Sequence, residues 1–363
     1  MKTILYQLPF FCISLLSISA YCQEDLVIVD PEVQPPAITE TTATTGYDFF
    51  ASEKLLDITL KFDIIVFSRT KKLQEYQDAT LTLKINGQDS ISQQIKIKAR
   101  GVMRRNYCTL PPIMLKFTGS DKKQAPIQSK GTLKLVTQCS KSAAFESYVL
   151  KEYLSYRMFN LVTDYSFKTR LVRIHYVDIH KPKKSFTTYG FLIENIEDMA
   201  RRNRAVVLKG KALQSSQMNT QDMARVAVFN YMIGNTDWSV TSQHNVKILK
   251  SAEVISDKAI PVTYDYDYAG FVNTVYAAPT LDIPIKSVRE RYYLGNCISD
   301  EELNPVIEEF HALKDQFLGT IKESEYLSNA DKKWGEAYIN SFYKRFNYHS
   351  MLISDLNRTC RKY

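Results

Sequence analysis

The sequence predicts an α+β protein with a β-rich first half and a mainly helical second half. Apolar residues alternate with polar ones in several runs between Leu55 and Val136, and after Asn195 they return at helical spacing. Size is the third observation: 363 residues, 45% hydrophobic and 24% charged, can bury one large core or two smaller ones.

At the start, Lys2, an apolar run over residues 4–16 and the small residues Ser17, Ser19 and Ala20 read as a secretory signal over residues 1–23. Cys22 stands where a lipid-bearing cysteine would, but the bulky Tyr21 before it favours cleavage over anchoring. Residues 24–47, rich in Pro, Thr and acids, are expected to form a disordered or extended lead-in. The protein is therefore expected to be secreted or periplasmic, with at most peripheral association with the envelope, since no later run is long and apolar enough to span a bilayer.

Four cysteines follow the signal: Cys108, Cys139, Cys297 and Cys360. In an oxidising compartment they allow two disulfides, with three connectivities. None forms a CxxC pair or has a histidine at ligand spacing, which argues against zinc. A net charge of +8 allows weak attraction to anionic polymers. The aromatic residues are expected in core and sheet packing, so no specific nucleic-acid binding is expected.

Residues 48–195 form the expected β-rich part. Runs at 56–62, 79–85 and 94–98 alternate, Asn86-Gly87 signals a turn, and 111–117 and 132–136 add two strands to a small antiparallel sheet with one wet face. Residues 145–161 carry Phe145, Val149, Tyr153, Tyr156 and Leu161 at roughly helical spacing. Two further strands, at 170–177 and 187–193, flank a basic turn at 181–184.

Residues 196–363 form the expected helical part. A helix over 222–233 is stopped by Gly234, and 246–249 with 260–264 reads as a hairpin. Ser299-Asp300-Glu301-Glu302 is a capping box ahead of a long helix at 303–317, and 334–356 is another.

The chemistry concentrates between that helix stop and the hairpin. Gly234-Asn235-Thr236-Asp237-Trp238, then His244-Asn245, then Tyr264-Asp265-Tyr266-Asp267-Tyr268 offer three carboxylates and an amide. Magnesium needs only one or two carboxylates besides substrate phosphates and water, so such a sparse set suffices. The order, a loop Asp, an Asn a few residues later and a further Asp, is that of phosphoryl-transfer enzymes.

In the order of its motifs the chain resembles the spore-coat protein H (CotH) type of atypical secreted kinase and its uncharacterised secreted bacterial relatives. Arg100-Gly101 with Pro112-Ile113-Met114-Leu115-Lys116-Phe117 is similar to that family's Arg-Gly loop and lysine strand. Residues 145–158 are similar to its helix, and Tyr189-Gly190-Phe191-Leu192-Ile193-Glu194 to its nucleotide hinge. The likeness covers roughly residues 90–270, but Val102-Met103-Arg104-Arg105 departs from the family's small polar loop.

The resemblance implies a two-lobed, kinase-like fold: an antiparallel β-rich N-terminal lobe with one helix, and a mostly helical C-terminal lobe. It implies Asp237 as catalytic residue, Asn245, Asp265 and Asp267 as metal ligands, and ATP with magnesium or manganese as cofactors. Lys134, with Lys116 as alternative, would touch phosphates and pair with Glu146 or Glu152. Glu194 and Ile196 would edge an adenine pocket, and Arg100 would line the phosphate path. The acceptor would be a hydroxyl on a protein or envelope molecule. An inactive envelope scaffold of the same shape, or a metal-dependent phosphoesterase using Asp265 and Asp267, are the alternatives.

Overall fold

Seven strands built on the alternating runs close on themselves. They are β1 (Leu56–Phe62), β2 (Gln77–Ile85), β3 (Asp89–Ala99), β4 (Ile113–Phe117), β5 (Thr132–Thr137), β6 (Thr169–Asp178) and β7 (Phe186–Ile193), ordered β1-β2-β3-β4-β5-β7-β6 in a closed barrel. The computed structural model describes residues 49–85, 89–117, 131–209, 213–253, 258–345 and 349–362. The expected signal, Cys22, the lead-in and the Asn86-Gly87 turn lie outside them. Residues Tyr47–Tyr363 make up a single compact unit.

The barrel corrects the expected two-lobed, kinase-like fold. β1 pairs antiparallel with β2 along one edge and parallel with β6 along the other, from Leu56↔Val172 to Phe62↔Asp178, so the sheet is mixed and closed. Its inward residues, among them Leu60, Ile97, Leu115, Leu133 and Ile174, are fully buried. Burying a side chain of this kind contributes about 1.5–3 kcal/mol. The α+β class itself stands.

Outside the barrel, β8 (Ala205–Val207), β9 (Val246–Ser251) and β10 (Ile260–Thr263) form a three-stranded sheet. The helices are α1 (Ile64–Thr70), α2 (Met103–Tyr107), α3 (Ala143–Val162), α4 (Ile196–Arg202), α5 (Thr220–Ile233), α6 (Asp300–Ala312), α7 (Lys314–Lys322), α8 (Asn329–Tyr343) and α9 (His349–Thr359). The helix expected over 303–317 is broken at Leu313, which ends α6 and begins α7. A second core joins α3, α5, the small sheet and the C-terminal helices through Phe159, Phe229, Tyr266 and Phe310.

Of the three connectivities, the structure has Cys108–Cys139 and Cys297–Cys360. Two disulfides fit an oxidising, extracellular-type environment. Among the described residues no helix is long and apolar enough to cross a membrane.

Candidate functional site

The site is assembled behind the C-terminal end of α5. Gly234 adopts φ 68°, a left-handed cap that an L side chain resists, and turns the chain out of the helix. Asn230 is fully buried and donates to the Val226 carbonyl and to Thr263 Oγ1, tying α5 to β10. Its side-chain Oδ1 accepts from Asn235 Nδ2 at 2.8 Å, and Asn235 Oδ1 accepts from the Asp237 N–H at 3.1 Å. A buried amide chain thus fixes where Asp237 emerges.

Asp237 is held on both carboxylate oxygens. Oδ1 lies 2.7 Å from His244 Nε2, and Oδ2 accepts from Asn245 Nδ2 at 2.9 Å. Asn245 also donates to the Asp237 carbonyl, and its backbone is left-handed at φ 51°. The Asn245 carbonyl then accepts from the Tyr264 N–H, which brings Asp265 beside this network. Asp265 is itself left-handed, at φ 65°, and its N–H is accepted by the Tyr156 hydroxyl of α3. The two loops are also joined directly, Gly270 N–H to Gly234 O and Phe271 N–H to Ile233 O.

Asp267 lies against Arg104, the guanidinium that Asp265 also touches. Its Oδ2 accepts from Arg104 Nε at 2.7 Å and from the Tyr276 hydroxyl at 3.0 Å. Glu152 lies on the same face of α3 as Tyr156, four residues apart, and accepts from Arg104 Nη2 at 2.7 Å. Arg104 therefore takes the partner expected for Lys134. Burial first, then Arg104 and the neighbouring carboxylates, set the Glu152 carboxyl at about 8.

Lys134 leaves the outer face of β5. Its Nζ sits 4.9 Å from the centre of the Tyr264 ring, and Lys247 Nζ sits 5.4 Å from the same ring. Burial pushes the Lys134 ammonium down to about 8, helped by Arg100 and Lys247 and opposed by Asp265. Among the described residues no ion pair joins Lys134 to Glu146, and Glu152 is paired with Arg104. None of Arg100, Lys134 and Lys247 has an ion-pair partner among the described residues. Lys116, the alternative lysine, is exposed further along the same barrel face, over Tyr76. Glu194 is buried in an ion pair with Arg202, and its N–H is taken by the Lys168 carbonyl, while Ile196 opens α4 and packs on the second core.

No family model matches the chain, and no curated protein matches it in sequence.

The donor set decides what metal chemistry fits. Asp267 is committed to Arg104 and Tyr276, and among the described residues no three acidic, His or Cys groups form a metal-binding cluster. Asp265, whose side chain is 36% exposed, also touches Arg104, Oδ1 lying 3.4 Å from Nη2, and the Asn245 amide nitrogen is taken by Asp237. Asp265 and Asn245 are the oxygen-bearing residues that would hold a divalent ion if one bound here.

Of the residues expected from the sequence, Asp237, Asn245, Asp265 and Lys134 lie near one another. Sequence order missed Arg104 as a buried residue, and it missed Lys247, Tyr156 and Tyr276. A cavity of about 940 Å³ lies beyond the opposite face of α3, between α7 and the segment before β1. Tyr153, Arg157 and Thr320 line it and no candidate residue does, so volume and chemistry separate here.

Proposed function

We propose that the protein binds a phosphate-bearing ligand, ATP being the fitting donor, and transfers a phosphoryl group to a hydroxyl on a protein or envelope molecule. The observation that carries this reading is a carboxylate, Asp237, fixed on both oxygens beside Asp265, with the unpaired cations Lys134, Lys247 and Arg100 gathered around Tyr264. Unpaired cations near a buried lysine favour an anionic ligand, since the ligand supplies the counter-charge that the protein withholds.

In this reading the acceptor O–H gives its proton to Asp237 as its oxygen bonds to phosphorus and the bond to the leaving oxygen breaks. Lys134 and Lys247 meet the charge that develops on the phosphates. His244 orients the Asp237 carboxylate. A divalent ion on Asp265 and Asn245, when bound, supplies further charge neutralisation. The disulfides are consistent with work outside the cytoplasm, secreted or periplasmic.

The test is a heat-stability titration with ATP and magnesium or manganese, together with transfer of labelled phosphate. Asp237→Asn is expected to keep the ATP-induced stabilisation and lose roughly 100-fold or more in transfer rate. Asp265→Ala is expected to lose metal-dependent stabilisation. If Asp265→Ala left both metal binding and transfer unchanged, the reading would fail. Absence of stabilisation with any metal would favour a non-catalytic envelope scaffold.

A further inference from the structure

The cavity of about 940 Å³ beyond α3 takes no part in the chemistry around Asp237, and its lining has two characters. Leu150 and Leu154 of α3 and Leu171 of β6 are buried and give it an apolar floor. α7 and the turn after it give it an acidic wall, through Asp315, Glu323 and Glu325. A cavity of this volume, apolar with a few placed charges, takes a small organic molecule.

The charges on the lining do not cancel. Arg157 pairs with Glu53, and Lys322, next to Glu323, pairs with Glu336. Lys54 is then the one lining cation set against three carboxylates, none of which has an ion-pair partner among the described residues. Two features of α7 point the same way. Glu323 is its C-cap, the end of a helix where the dipole disfavours a negative charge. Gly319 lies inside the same helix, where glycine is among the least favourable residues. Nothing in the fold calls for it: within 4 Å a Cβ at Gly319 would meet only Glu323 Oε1, at 3.6 Å, an ordinary contact. The absent side chain instead keeps the cavity open beside a carboxylate.

We propose that this cavity is a binding site for a small amphipathic cation, an alkyl body that ends in an ammonium group. The alkyl body lies on the leucine floor, and the ammonium group meets the acids of α7 and supplies the positive charge that the lining lacks. An anionic amphiphile of the same length would meet those acids with like charge, so sign as well as size sets the selectivity.

The test uses the full chain at neutral pH without nucleotide or metal, and follows octylamine, octanoate and ethylamine by isothermal titration calorimetry. Octylammonium is expected to bind about tenfold or more tighter than octanoate, which differs in sign, and than ethylammonium, which lacks the tail. Gly319→Leu fills the cavity from a helical position with room for it, and is expected to keep the fold and to weaken octylammonium binding by about tenfold or more. Thr320→Phe, at the next lining position, serves as the block if Gly319→Leu does not fold. The combined variant Asp315→Asn, Glu323→Gln, Glu325→Gln is expected to bind octylammonium and octanoate about equally. Failure of octylammonium to bind at millimolar concentration, or octanoate binding as tightly, overturns the proposal. So does a folded blocking variant with unchanged affinity, or a neutralised variant that keeps the preference. ATP, metal and Asp237 take no part in these readouts, so failure of the transfer reading and failure of this one are distinguishable.

Discussion

Burial shifts Lys134 down and Glu152 up, and each shift carries an expected pH dependence. Lys134, pushed down to about 8 by burial and by Arg100 and Lys247, binds an anion best while protonated. ATP affinity is expected to weaken as pH rises through about 8, approaching tenfold per pH unit above it, and Lys134→Met is expected to remove that dependence; calorimetric titration across pH checks it. Glu152 is raised from 4.5 to about 8, so the folded state keeps a proton that the unfolded chain has lost. Its contribution to stability is full below 4.5 and is lost as pH rises through about 8. Melting temperature is expected to fall between about pH 5 and pH 8 in the wild type and to fall less in Glu152→Gln. The same residues show what sequence can reveal. Asp237, Asn245 and Asp265 were legible because a helix stop and a hairpin, both local signals, bring them together. Arg104 was not: its acid partners lie 48 to 163 residues away, and nothing in Met103-Arg104-Arg105 separates a buried guanidinium from two solvated ones.

At the level of elements, the site leans on α8. The Tyr338 hydroxyl donates to the Arg289 carbonyl and lies against both glycines of the site loops: a Cβ on Gly234 would meet it at 2.1 Å and one on Gly270 at 2.3 Å. The two positions differ in what else crowds them. At Gly270 a Cβ would also meet the Val288 carbonyl at 2.3 Å, backbone that cannot step aside, whereas at Gly234 the same carbonyl is 3.3 Å away. Gly234→Ala is expected to cost about 1–3 kcal/mol from overpacking and left-handed strain. Adding Tyr338→Phe is expected to recover part of that loss, and urea unfolding of the two single variants and the double variant measures the coupling. Additive effects would show that the hydroxyl is not what the new methyl meets. Arg291 belongs to the same support, donating to the Met232 and Tyr338 carbonyls and to Ser341 Oγ.

Across the whole molecule, the strands were legible one by one, and their closure was not. Alternation such as Leu56, Ile58, Leu60 and Phe62 says that one face is buried, but it is equally compatible with an open sheet packed on a helix and with a barrel wall. Closure is decided by the pairing of β1 with β6, in register from Leu56↔Val172, and no local residue pattern encodes that contact. That seam has a consequence in time. β1 must wait for its closing partner, more than 100 residues later, while α2 with Arg104, the Lys134 strand and α3 with Glu152 all lie in between. Pairings between such distant segments form slowly, because the loop must be closed before any contact rewards it. The cations and the acid that meet around Asp265 are thus enclosed in one chain loop, and its last stitch completes the wall that carries Lys134.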